Sequence, residues 1–145
     1  MSIWLQPFTV DDLNKFQEQT LVTNLGIRYT EVGEDYLKAV MPVDARTKQP
    51  AGILHGGASV ALAETLGSTG ANLVVDRKQK LCVGLDINAN HVRAMRSGQV
   101  TGTARPLHIG GSTQVWEIRI TNDEEKLVCV SRITIAVLDR SSFQG

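Results

Sequence analysis

Apolar positions change their period several times along the chain. Leu13, Phe16 and Gln17 recur at helical spacing behind Thr9, a capping residue, and Asp11-Asp12 suit the positive end of a helix dipole. A short helix is predicted there, with Leu21 to Gly26 leading out of it. Residues 27–32 and 35–42 predict two strands that turn at Gly33-Glu34, the second ending at Pro42. Residues 43–54 show no period, and a connection that long in a small domain is functional or disordered rather than idle. After His55-Gly56-Gly57, the run from Ala58 to Leu73 is apolar or small on every side, with Glu64 its one charge, which predicts a fully buried helix. Beyond Lys80, residues 81–93, 99–107, 113–121 and 126–138 predict four strands rich in Val, Ile and Thr. Turns at Arg96-Ser97-Gly98, Gly110-Gly111 and Asn122-Asp123-Glu124-Glu125 imply an antiparallel meander. The expected class is α+β, a curved antiparallel sheet of about six strands around one long buried helix. One helix covers only part of such a sheet, so pairing with a second copy is expected.

Composition narrows this picture. A chain of 145 residues has room for one domain, 1–145, with a single core. Fifteen basic and fifteen acidic residues cancel, which argues against nucleic acid as a partner. No run of about 18 apolar residues is present and the start lacks a basic segment before an apolar one, so neither a membrane span nor a signal peptide is expected. Cys82 and Cys129 form neither a disulfide framework nor a CxxC pair, and a reduced, cytoplasmic setting is expected.

Glu64 stands out chemically. Burying a lone carboxylate costs several kcal/mol unless it is paired, hydrogen-bonded or neutralised. A helical wheel puts Val60, Ala61, Gly67, Ser68 and Ala71 on its side, leaving space beside the carboxylate, while Leu62, Leu66 and Leu73 point elsewhere. That setting suits a catalytic base or nucleophile; a salt-bridged or solvent-facing glutamate fits the same position. His55-Gly56-Gly57 would offer unpaired N–H groups at the helix start to a developing oxyanion, or simply make a tight entry to the helix. Other constellations are weaker. His55, His91 and His108 lack metal-ligand spacing, and no metal or cofactor is expected. Gly57-Ala58-Ser59-Val60-Ala61 misses the last glycine of a nucleophile elbow. Gly110-Gly111-Ser112-Thr113 makes either a phosphate nest or a plain hairpin turn.

At Gln49-Pro50-Ala51-Gly52-Ile53-Leu54-His55-Gly56-Gly57-Ala58-Ser59, followed by Ala63-Glu64-Thr65-Leu66-Gly67-Ser68, the chain resembles the hotdog-fold acyl-CoA thioesterases. Within them it is similar to the phenylacetate-pathway and Arthrobacter-type 4-hydroxybenzoyl-CoA branch, near the bacterial 1,4-dihydroxy-2-naphthoyl-CoA hydrolases and enterobactin-pathway proofreading thioesterases. The likeness runs from Ile3-Trp4 through Met41-Pro42-Val43-Asp44 and Gly84 to His91, then on to Pro106-Leu107-His108 and Arg132-Ile133-Thr134. It implies a helix wrapped by a sheet, active sites shared between paired subunits, and a homodimer assembling to a homotetramer. The implied activity is hydrolysis of acyl-CoA thioesters carrying aryl or β-keto acyl groups, with acyl carrier protein as the second possible thiol partner.

By position, the resemblance makes Glu64 the nucleophile or general base and has Gln49 place the thioester or attacking water. His55 and the Gly56 N–H would hold the thioester carbonyl, with Ser68 near the reacting group. His91, Val92, Arg93 and Ala94, the turn His108, Ile109, Gly110, Gly111, Ser112 and Thr113, and nearby Gly84 would hold the pantetheine and nucleotide of CoA. Ala51 and Ala94 depart from residues common in the family (Phe, and Ser or Pro), and Thr69 and Asn72 are polar near the acyl pocket, which leaves the acyl group open. Two other readings remain at this point. One is a hotdog dehydratase, whose His-plus-carboxylate pair would have to be built from Glu64 and a histidine. The other is a non-catalytic acyl-CoA or carrier-protein binder.

Overall fold

The computed structural model describes residues 1–143. Its helices are α1 (Val10–Phe16), α2 (Leu21–Asn24) and α3 (Gly56–Leu73). Its strands are β1 (Arg28–Val32), β2 (Leu37–Pro42), β3 (Lys80–His91), β4 (Gln99–Ile109), β5 (Thr113–Thr121) and β6 (Leu127–Asp139), and a 3₁₀ turn, Arg140–Phe143, follows. Period-two patterning decides which side of the sheet is the core. Along β5, Gln114, Trp116, Ile118 and Ile120 are buried. Along β6, Cys129, Ser131, Ile133, Ile135 and Val137 are buried in the same way. These rows meet α3, so the sheet wraps the helix as expected.

The strands form one antiparallel sheet in the order β1-β2-β4-β5-β6-β3. Only β4, β5 and β6 make the predicted meander. β3 pairs with β6 at the far edge rather than with β4, so the Arg96-Ser97-Gly98 turn ends a crossover and is not a hairpin. Short spacing between two strands in sequence misleads here because Val92–Gly98 is long enough to pass the end of the sheet. β3 also stops at His91, which leaves Val92 and Arg93 outside it, and β4 runs on to Ile109. Residues 43–54 form an ordered loop. Lys48 bridges Leu54, Gln49 N–H donates to Ile53 O at 2.9 Å, and Gly52 takes a positive φ of 80° that favours glycine.

The short helices are locally encoded. Thr9 and Asp12 close a capping box on α1, and Thr20 Oγ1 caps α2, a turn of helix where only a lead-out is expected. Asn14 fastens α1 to β1 by exchanging hydrogen bonds with the Tyr29 backbone at 2.8 and 3.1 Å. For α3 the expectation needs correction, because the helix is not buried on every side. Ala58, Leu62, Ala63, Leu66, Gly67, Gly70 and Ala71 are buried against the sheet, whereas Gly57 and Glu64 are exposed and Val60, Ala61, Thr65 and Ser68 half-buried. Small residues are spread around the helix, so hydropathy alone hides which side is open. Gly67, Gly70 and Gly102 set how near the helix lies. A Cβ at Gly67 would stand 2.6 Å from Ile133 Cγ2, and one at Gly102 2.6 Å from Leu66 Cδ1.

Candidate active site

Glu64 sits in the middle of α3, on its open face. A groove of about 530 Å³ runs between this face and the α1–α2 segment, lined by Gly57, Val60, Ala61 and Ser68 from α3 and by Gln17, Leu21 and Val22 opposite. The carboxylate leans over β3: a Cβ at Gly84 would lie 3.4 Å from Glu64 Oε1 and 3.5 Å from Ile133 Cδ1. Gly84 borders the β3 irregularity between Gly84 and Asp86, where the strand shifts register. In the single chain Glu64 is exposed, not walled in as expected. Gly67 and Ala71, placed beside it by the wheel, turn to the sheet instead, leaving Val60, Ala61, Thr65 and Ser68 as its neighbours on the helix.

The start of α3 is the second element. His55 is the N-cap, and its Nδ1 accepts the Gly57 N–H at 2.7 Å. The Gly57 donor expected for an oxyanion is therefore taken, which leaves Gly56 N–H as the first donor of the helix without an intrahelical partner. With Nδ1 accepting, neutral His55 carries its proton on Nε2, so the imidazole can donate outward. Both glycines are packed by rings. A Cβ at Gly57 would stand 2.9 Å from His55 Cε1, and one at Gly56 3.0 Å from His91 Nε2. Gly56 and Gly57 also open on different hollows. Gly57 lines the Glu64 groove, while Gly56 lines a separate cavity of about 450 Å³ with Gln49, Ser59, His91, Arg93 and Val128.

Behind the groove the polar side chains are tied down. Tyr29, fully buried, shares a 2.7 Å hydroxyl–hydroxyl hydrogen bond with Thr69, and burial pushes its phenol up to about 12. Asn72 acts like a short piece of strand: its Nδ2 donates to Cys82 O at 3.1 Å and its Oδ1 accepts Cys82 N–H at 3.0 Å. This clamp fixes α3 to the edge strand that passes under Glu64.

A family model described as the thioesterase superfamily matches residues 51–129, a span that contains the α3 start, Glu64, Gly84 and His91. The chain belongs to the thioesterase superfamily. It is 51% identical over 136 residues to the 1,4-dihydroxy-2-naphthoyl-CoA hydrolase of Escherichia coli, covering 94% of this chain and 99% of that one. The proofreading thioesterase EntH of Cronobacter turicensis is 49% identical over 94% of this chain and 98% of its own. A crystal structure of a Haemophilus influenzae thioesterase superposes with a TM-score of 0.94 at 48% identity, covering 99% of both chains. The fold is thus the hotdog arrangement, and acyl-thioester hydrolysis is the chemistry of this family.

In this thioesterase, one chain brings together only part of the set named from the sequence. Glu64, Ser68 and Gly84 meet at the groove; Gln49, Gly56, His91, Val92, Arg93 and Ala94 meet at the second cavity. His108 to Thr113 meet neither. The β6 partners measure the gap: His91 pairs with Cys129 and Thr113 with Ala136. Seven strand residues at about 3.4 Å each separate the two proposed CoA segments by roughly 24 Å along the sheet. Of the two readings of the glycine turn, the Gly110 N–H that donates to Thr113 O at 2.9 Å fits the plain hairpin. Arg93 Nε donates to Leu127 O at 3.3 Å, with the side chain exposed. No group of three His, Cys, Asp or Glu suited to a metal ion occurs among the described residues. Sequence reasoning missed Gln17, Leu21 and Val22 as groove residues; the available signal was Leu21, an apolar residue on a short capped turn that has no core to enter.

Proposed function

We propose that this chain hydrolyses acyl-CoA thioesters with aryl or β-keto acyl groups, using Glu64 as base or nucleophile. The observation that carries the reading is Glu64 on the open face of α3, a carboxylate that borders a groove and leans over Gly84. Glu64 either deprotonates the water that attacks the thioester carbonyl, or attacks it directly to form a mixed anhydride that water then cleaves to the free acid. The Gly56 N–H and the positive end of α3 of the other chain in a pair stabilise the oxyanion, His55 Nε2–H of that chain steadies it, and CoA leaves as a thiolate that takes up a proton. Gln49 orients the thioester. The E. coli relative is named for a naphthoyl-CoA substrate, which supports an aryl group.

The split of the set over two cavities supports a site made by two chains. β3 is a twelve-residue edge strand whose outer side takes Asn72 at Cys82 and is otherwise suited to pairing. A dimer joined there would bring the Gln49–Gly56–His91 cavity of one chain toward the Glu64 groove of the other. It would likewise let Arg93 and the His108–Thr113 turn grip one CoA from different chains. Two such dimers make the tetramer. Two buried free thiols, pushed up by desolvation, fit a reducing cytoplasm.

A thiol-release screen over aromatic and aliphatic acyl-CoAs and acyl carrier proteins tests the activity. Glu64→Gln should lower kcat by a hundredfold or more with circular dichroism unchanged. An unaltered rate removes Glu64 from the mechanism, and water loss without thiol release would make the chain a dehydratase.

A further inference from the structure

Four polar side chains are buried among the described residues: Thr47, Ser59, Gln114 and Ser131. Thr47 and Gln114 donate to backbone carbonyls, Pro42 O at 2.7 Å and Ala71 O at 3.3 Å. The two serine hydroxyls have no partner among the described residues, and an unpaired buried hydroxyl weakens a fold. Ser131 is sealed inside the core, whereas Ser59, 1% exposed, lines the cavity of Gln49, Gly56 and His91. A hydroxyl in a helix commonly turns back onto the carbonyl four residues earlier, as Thr65 does to Ala61 O at 2.7 Å. For Ser59 that carbonyl is His55 O, which already accepts the N–H groups of Ala58 at 3.0 Å and of Ser59 itself at 3.3 Å. Alanine, the better helix former, would fill the position with nothing left unpaired.

Helical side chains lean toward the helix N-terminus, so Ser59 lies over the turn that Gly56 opens, and Gly56 has no side chain to shield it. The other polar groups of this cavity are donors. Gln49 Oε1 accepts the Ala51 N–H at 2.9 Å, which leaves Nε2 to donate. Nε2 is also the atom of the His91 ring nearest the Cβ site of Gly56, at 3.0 Å against 3.2 Å for Cε1 and 3.4 Å for Cδ2, so the imidazole meets the helix start tip first. Gly56 adds its peptide N–H. No carboxylate lines the cavity among the described residues. A ring of N–H and O–H groups without an anion of its own suits an oxygen that gains negative charge.

We propose that Ser59 Oγ–H is a further donor to the thioester oxygen, beside the Gly56 N–H of the same chain. The inference rests on the thioesterase reading for the identity of that oxygen. In the ground state the hydroxyl meets a neutral carbonyl. As the carbon becomes tetrahedral the oxygen takes up the charge, and the same hydrogen bond strengthens while its proton stays on serine. Ser59 therefore acts mainly on kcat, and its hydroxyl gains from the substrate the partner that the folded chain withholds.

Ser59→Ala should lower kcat for an acyl-CoA by about tenfold or more, with KM within about twofold of wild type. Its urea midpoint should stay level or rise, because no hydrogen bond is lost and alanine favours the helix. Ser59→Cys, close in size but a weak donor, should be slowed alike. A kcat of Ser59→Ala within about threefold of wild type, or a raised KM at unchanged kcat, overturns the assignment. So does a lowered midpoint with a loss of rate that Ser59→Cys restores, the mark of packing alone. Two inert CoA analogues keep the contact apart from the reaction. In one, methylene replaces the sulfur and the carbonyl stays; in the other, methylene replaces the carbonyl and the sulfur stays. By calorimetry, Ser59→Ala should weaken the ketone about threefold or more and leave the thioether within about a factor of two. Absence of thiol release from every acyl-CoA defeats the thioesterase reading; the Ser59 contact then stands on the ketone's loss of affinity, and falls if both analogues bind Ser59→Ala as they bind wild type.

Discussion

Gly70→Ala sets two known effects against each other at one position. Alanine is the better helix former by about 0.8–1.0 kcal/mol, so an open helix position would gain stability. Gly70 faces the sheet, and the added methyl would stand 2.7 Å from Trp116 Cζ3 and 2.8 Å from Cη2. That ring has little freedom to yield. It is fully buried, its Nε1 donates to Gln114 Oε1 at 2.8 Å, and Trp4 stacks on it at 6.3 Å between ring centres. Overpacking of this kind costs about 1–3 kcal/mol, and with the ring buried, hydrogen-bonded and stacked the upper part of that range applies. The expected balance is a net loss of about 1–2 kcal/mol in urea unfolding. Gly111→Ala, where a Cβ meets nothing within 4 Å, serves as the control and should stay within about 0.5 kcal/mol. A Gly70→Ala protein more stable than wild type by about 1 kcal/mol would show that Trp116 gives way and that helix and sheet do not need their close approach.

Arg93→Ala should raise KM for acyl-CoA several-fold with kcat nearly intact, and the difference should shrink at high salt, as lost exposed phosphate contacts do; a fall in kcat at constant KM would place CoA elsewhere. Tyr29 predicts a pH effect. Its phenol titrates at about 12 in the folded chain against about 10 unfolded, so between those values the unfolded state has lost the proton and the folded state has kept it. Stability is therefore full below pH 10 and should fall by about 2–3 kcal/mol as pH rises to 12. Tyr29→Phe should lack this component in denaturation curves at pH 9.5 and 11.5, and an identical slope in both proteins would contradict the assignment.

Strand positions, the caps of α1 and the long helix were readable because each rests on local signals: alternation, a capping threonine, an apolar run. Glu64 was readable as the odd residue in that run. What escaped depends on distant parts of the chain. The place of β3 beside β6 follows from sheet closure around α3, which no local period encodes. The open face of α3 was hidden because Gly57, Val60, Ala61 and Ser68 resemble Ala58, Ala63, Gly67 and Ala71 in size and polarity. That His55 would turn back onto Gly57 is a matter of rotamer, and the gap between His91 and His108 becomes visible only once both strands are registered on β6.

Gly56 and Gly57, adjacent in the chain, open on opposite hollows, and this has a genetic consequence. If each reaction centre draws Gln49 from one polypeptide and Glu64 from another, alleles that inactivate the two positions separately should rescue each other when co-expressed. Refolded together in equal amounts, Gln49→Ala and Glu64→Gln chains would form mixed dimers in about half of all pairs, each with one intact centre and one doubly damaged. About a quarter of the wild-type centres would reappear from two silent parents. A gene of this kind tolerates, in a population carrying both lesions, losses that would be fatal to an enzyme whose every catalytic group comes from a single chain.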